Sequence, residues 1–205
     1  AVARLYAPSW TNVLSAWIER LPGPSLAAYI VGMALGVALS ALQVSPESDA
    51  TLWGGALYYG ALPAAALFLI NHLDRTARNA FRSLRPLLDL DAPQRDEIET
   101  RLTVVPARPA LVLTLIAIVL GPAIYVADPV GSGIVGLSPE LLALRFVWES
   151  LISSIFFVLI YHTFRQLRLV DQIHKKISQI DLFDQGPLYG FSRVTSQTAI
   201  GLIVF

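Results

Sequence analysis

Two histidines recur in one setting, 90 residues apart. Leu69-Ile70-Asn71-His72-Leu73-Asp74-Arg75-Thr76-Ala77-Arg78 closes one apolar run, and Leu159-Ile160-Tyr161-His162-Thr163-Phe164-Arg165-Gln166-Leu167-Arg168 closes another. Both read Leu-Ile-x-His-x-x-Arg-x-x-Arg. Bis-imidazole ligation of a haem or other tetrapyrrole needs two histidines on different helices, facing across a gap. Arg75 and Arg165, three residues on, would share a helix face with His72 and His162 and could pair with propionates. The plainer reading is a polar anchor where each helix leaves the membrane, since both histidines sit at the edge of the apolar run rather than inside it.

Other chemistry finds less support. There is no cysteine, which excludes disulfides, thiolate metal sites and cysteine nucleophiles. No Gly-x-Ser-x-Gly elbow, His-Glu-x-x-His motif or pair of carboxylates within a span is present. Asp96, Glu97 and Glu99 are interleaved with Arg95 and Arg101, the pattern of a solvated, ion-paired face rather than a metal site. Arg145 and Glu149, four apart around Trp148, read as a boundary salt bridge beside an interfacial aromatic. The sharper alternative is a charged pair lining a polar path. No catalytic motif supports an enzyme, and no nucleic-acid partner is expected.

The elements that must position these residues are membrane helices. Of the 205 residues, 55% are hydrophobic and 15% charged, against about 25% charged in soluble domains. The expected class is all-α: a polytopic membrane protein with about five transmembrane helices, the last incomplete. Residues 1–23 form an N-terminal amphipathic segment without the marks of a signal peptide. Its stripe of Trp10, Val13, Leu14, Trp17, Ile18 and Leu21 predicts a helix lying in the interface plane, or else packed on the rest of the protein.

A first unit, 24–109, holds spans at 25–44 and 52–73 and a charged cytoplasmic segment at 74–109. A second, 110–186, holds spans at 110–127 and 141–164 and a cytoplasmic extension at 165–186. Residues 187–205 begin a fifth span too short to cross, so either the natural chain continues or the half-span needs a partner to shield it. Gly32, Gly36 and Ser40 are spaced four apart, as are Ala56, Gly60 and Ala64, and such stripes let helices approach closely. Pro63 predicts a tolerated kink. Asp91 is placed as the N-cap of a short helix with Pro93 in its first turn and Ile98 and Leu102 inward. Val170, Ile173, Ile177 and Ile180 suggest a short coiled-coil-like seam. Trp10, Trp17 and Trp148 are the expected interface anchors.

Of the fifteen basic residues, all but Arg145 fall on one side of this arrangement. The positive-inside rule then sets the N-terminus and the charged segments in the cytoplasm of a plasma (inner) membrane. The motif pairs extend further: Arg85 with Lys175, Leu87 with Ile177, Leu90 with Ile180 and Asp91 with Asp181. Each unit is two helices, so a duplication would be a parallel repeat about an axis along the membrane normal. The alternative is that any helix leaving toward the cytoplasm gains arginines. Two function classes follow. One is a non-catalytic membrane module, the anchor and input part of a signalling protein or an accessory subunit, partnered by lipid and by further membrane helices or copies of itself. The other is a small-solute channel or transporter, with the haem-binding subunit a third reading.

Overall fold

The computed structural model describes residues 6–44, 50–84, 91–132 and 134–174, together with Ser196. These residues form six helices: α1 (Trp10–Glu19), α2 (Ser25–Ala41), α3 (Ala50–Leu84), α4 (Ala92–Thr103), α5 (Ala107–Ala127) and α6 (Pro139–His174). Among the described residues the only β-type pairing is an isolated bridge between Pro8 and Pro106. The helices pack as two hairpins, α2 on α3 and α5 on α6, joined where α3 meets α6. The fold is all-α, and its apolar helices suit a lipid bilayer.

Three helical stretches are long and apolar enough to cross a membrane: Trp53–Leu84, Ala107–Ala127 and Pro139–Ile173. Among the described residues, three of the five expected spans meet that description. The α2 helix is apolar but has 17 residues, about 25 Å at 1.5 Å per residue, against a hydrocarbon core of about 30 Å. The expected fifth span, like Ile177 and Ile180 of the seam, lies outside the described residues. By contrast α3 has 35 residues and α6 has 36, lengths of about 52 and 54 Å that exceed the hydrocarbon thickness by some 20 Å. Pro63 lies inside α3 without ending it.

Packing changes character along these two helices. In the apolar band, lipid tails compete equally for apolar side chains, so close approach must come from small residues. Gly36 and Gly60 meet there: a Cβ on Gly36 would lie 2.1 Å from the Gly60 carbonyl oxygen, and Gly32 faces the Ala64 methyl. Gly121 on α5 meets Ser153 on α6 in the same way. The outward faces carry large apolar side chains such as Val119 and Ile124, 67% and 70% exposed, which suit contact with lipid tails. Beyond the band the core is built from bulk. Phe81 and Leu84 of α3, Leu102 of α4 and Val170 and Ile173 of α6 are buried together, each large side chain stabilising by about 1.5–3 kcal/mol where water is the alternative. Val170 and Ile173 thus pack within this chain.

Local signals set the short helices. Asp91 caps α4 by accepting from the Gln94 backbone at 2.8 Å, with the Gln94 side chain returning the bond and proline in the first turn, a capping box. Ser9 caps α1. The six-residue stripe of α1 divides in two. Trp10, Leu14 and Ile18 pack on the core formed by Tyr29, Leu67, Ile70 and Leu159, while Val13, Trp17 and Leu21 are 56%, 58% and 37% exposed. The packed reading of this helix holds for the first edge, and the second edge is left exposed.

Candidate functional site

Among the described residues, the buried charged, amide and imidazole side chains lie in two layers. The first is at the end of the apolar band where α3 and α6 emerge. Ile155, Leu159, His162, Gln166, Val170 and Ile173 form one buried stripe on α6, and the period of 3.6 puts His162 and Gln166 one turn apart on it. Both reach Asp74 on α3. His162 Nε2 lies 2.6 Å from Asp74 Oδ1, and Gln166 Nε2 donates to the same oxygen at 2.9 Å. The second Gln166 amide hydrogen goes to the Leu102 carbonyl at 2.9 Å, so α3, α4 and α6 are tied at one point. His162 is fully buried, and the Asp74 side chain keeps 11% exposure.

Around this latch, the N-terminal segment fastens the joint between α4 and α5. Ser9 N donates to Val105 O and Ala107 N to Ala7 O. Arg165 donates to the Val104 carbonyl at 2.6 Å and to the Tyr6 hydroxyl, with its guanidinium over the Tyr6 ring. Arg75 pairs with Glu19 of α1 at 2.7 Å, and Asn71 donates to the same carboxylate oxygen at 2.8 Å. Glu99 of α4 takes Arg78 and Arg82 of α3, and Glu97 pairs with Arg101. The acidic face of α4 is therefore partly tertiary in its pairing, and no group of three or more metal-binding side chains occurs among the described residues.

The two motif histidines have different neighbours, Asp74 for His162 and Phe68 for His72. His72 precedes Asp74 by two residues, about 200° around the helix, and stacks on Phe68 at 6.0 Å. Under the 90-residue correspondence His72 should face Phe164 as His162 faces Asp74, yet Phe164 is 65% exposed. Matching letters do not share matching surroundings. Arg75 and Arg165, the expected propionate partners, are engaged with Glu19 and with Tyr6 and Val104.

Asp74 and Gln166 were missed by sequence reasoning. Asp74 is followed by Arg75 and Arg78 and reads as part of a charged surface. The signal was the apolar stripe itself: extended past His162 at 4-3-4 spacing, it passes through Gln166 and continues to Val170.

The second layer lies at the other end. Arg145 and Glu149 are close at 3.4 Å with side chains only 17% and 5% exposed, and Arg145 sits over the Tyr125 ring and reaches Gln43. A cavity of about 730 Å³ opens there, lined by Gln43, Thr51, Tyr59, Tyr125, Ser132 and Arg145 among others. Trp148, expected as an interface anchor, is half-buried and packs over Gly36. Trp10 bonds Thr114 through its indole N–H at 2.9 Å, and Trp17 is the exposed one. Residues 55 and 75 on α3, at the two layers, are about 30 Å apart along the axis, matching the hydrocarbon thickness.

Docking of α1 carries a pH dependence. Partial burial pushes the Glu19 carboxyl up, but hydrogen bonds from Arg75 and Asn71 and the nearby guanidinium charges outweigh it and hold the group below its ordinary value of 4.5. A depressed carboxylate contributes stability above its unfolded value and loses it as pH falls through the folded one. A nitroxide on a cysteine at exposed Ala16 is therefore expected to gain mobility below about pH 4.5 and to be insensitive to pH between 5 and 7. Glu19→Gln should remove that transition.

The chain matches no protein-family model, no curated protein and no solved structure.

Proposed function

We propose that this chain is the membrane-embedded anchor and input module of a larger signalling assembly. The observation that carries the reading is the continuity of α3 and α6. Each runs unbroken from the polar cavity at one end, through the apolar band, to a latch and a bulk-packed core at the other. A helix of this length moves as one body, so displacement at the cavity reaches the far core. The grouping of Arg20, Arg75, Arg78, Arg82 and Arg165 at the α1 and α4 end, against Arg145 at the other, supports a cytoplasmic latch in a plasma membrane. In this reading α2 completes a fourth crossing, helped by the turn at Leu42–Val44. The two hairpins, each a shorter helix followed by one of 35 or 36 residues, support a parallel repeat whose halves have diverged in side-chain surroundings.

One observation favours the channel reading: cavities with polar side chains in their walls stand at both ends of the bundle. The glycine-packed α2–α3 crossing lies between them and opposes it. Two measurements separate the readings. The sequence has no cysteine, so spin labels can be placed at the exposed Asn79 and Gln172. Arg145→Gln, at the far end, is expected to shift or broaden the distance between them. Solute-specific flux in liposomes, together with an unchanged distance, would overturn the module reading in favour of the channel.

A further inference from the structure

We propose that the cleft between α1, residues 71–78 of α3 and the C-terminal end of α4 seats the phosphate headgroup of an anionic membrane lipid. The cleft has a volume of about 650 Å³ and is lined by Arg20, Arg75, Arg78, Asn71 and Trp17 among others, with Asp74 also on its wall. Three guanidiniums line the cleft against two carboxylates, and both carboxylates are already engaged: Asp74 by His162 and Gln166, Glu19 by Arg75 and Asn71; Arg78 also pairs with Glu99 outside the lining. Arg20 is exposed and makes no ion pair among the described residues. Arg75 uses one terminal nitrogen on Glu19, and a guanidinium carries five N–H donors, so donors remain for phosphate oxygens.

Depth and rim identify the source of the phosphate. Residues 71–78 of α3 lie where the apolar band ends, about 30 Å from the opposite cavity, which is headgroup level. Val13 and Trp17, exposed on the same helix that walls the cleft, offer an apolar flank along which acyl chains can run. A soluble phosphate would need the guanidiniums but not this flank. Basic pockets at such a depth hold anionic headgroups by charge and hydrogen bonding together. The inference needs the bilayer but stands whether the module senses or conducts.

Native mass spectrometry of the full chain, released from detergent with phosphatidylglycerol or phosphatidylcholine, tests it. One phosphatidylglycerol is expected to be retained where phosphatidylcholine is lost. Arg20→Gln, which breaks no contact seen here, should weaken retention about fivefold. The triple variant Arg20→Gln, Arg75→Gln, Arg78→Gln should fall to the phosphatidylcholine level. Arg101→Gln with Arg108→Gln, which removes charge outside the cleft, should leave retention unchanged. Equal retention of both lipids, or a preference that survives both Arg20→Gln and the triple variant, would overturn the proposal. Displacement of phosphatidylglycerol by millimolar inorganic phosphate would overturn the lipid assignment in favour of a soluble anion.

Discussion

Asp74→Ala is expected to destabilise the folded protein by roughly 3–5 kcal/mol, the range for removing one member of a buried, hydrogen-bonded polar pair. The carboxylate oxygen accepts from Gln166 and lies 2.6 Å from His162 Nε2, so one substitution takes a partner from two buried polar side chains. Neither can turn to water, since His162 and Gln166 are 0% and 1% exposed. Each stranded group costs about 1–3 kcal/mol. Asp74→Asn keeps the shape and one acceptor oxygen, so its loss should be about 1–2 kcal/mol. Unfolding in mixed micelles, followed by circular dichroism, reads all of these. The double variant Asp74→Ala, His162→Ala should be less destabilised than the sum of its singles, by about 1–3 kcal/mol of coupling. Additive losses would mean that the 2.6 Å contact contributes nothing and that Gln166 and the apolar stripes join α3 and α6 without it.

That latch also shows how far the sequence could be read. Helix positions followed from periodicity and caps, because Asp91 with Gln94 and the apolar stripe of α1 act within one turn. The small-residue stripes named Gly36 and Gly60, though not that the two meet at one crossing. What was not legible is rotation. Whether His72 or Asp74 turns toward α6 depends on the angle at which α3 sits against its neighbours. That angle is set by Ala66, Leu67, Ile70 and Leu73 packing at a distance in sequence. A histidine repeated after 90 residues drew attention to matching letters, whereas burial selects by face. The unexpected partner stands two residues away, on the opposite side of the helix. The continuation of α3 and α6 past their apolar residues was legible in the stripes through Ala77, Phe81 and Leu84 and through Val170 and Ile173, whereas their cover by Leu102 of α4 is a tertiary contact with no local signal.

Glycine substitutions in α2 and α3 are expected to change stability in opposite directions at different sites. At Gly60 an added methyl would lie 2.5 Å from Val37 Cα and 2.7 Å from its nitrogen. At Gly36 it would lie 2.1 Å from the Gly60 carbonyl. Both obstacles are backbone, so no side chain can rotate away and the helices must separate. Gly36→Ala and Gly60→Ala should each destabilise by about 1–3 kcal/mol, the range for overpacking, and the loss extends to Trp148, which rests 3.2 Å from the same point. Gly32 meets only the Ala64 methyl, at 3.2 Å, so a shift of a few tenths of an ångström accommodates alanine there. Gly54 has nothing within 4 Å. Replacing it with alanine should stabilise α3 by about 0.5–1 kcal/mol, because alanine loses less backbone freedom on entering a helix. Lipid supplies no hydrophobic drive between helices, so a crossing held by close contact is unusually sensitive to one methyl group. The same unfolding assay ranks the four variants. If all four stabilise alike, backbone propensity alone decides and the α2–α3 crossing is not the close contact described; a sign change between Gly54→Ala and Gly60→Ala is the signature of packing.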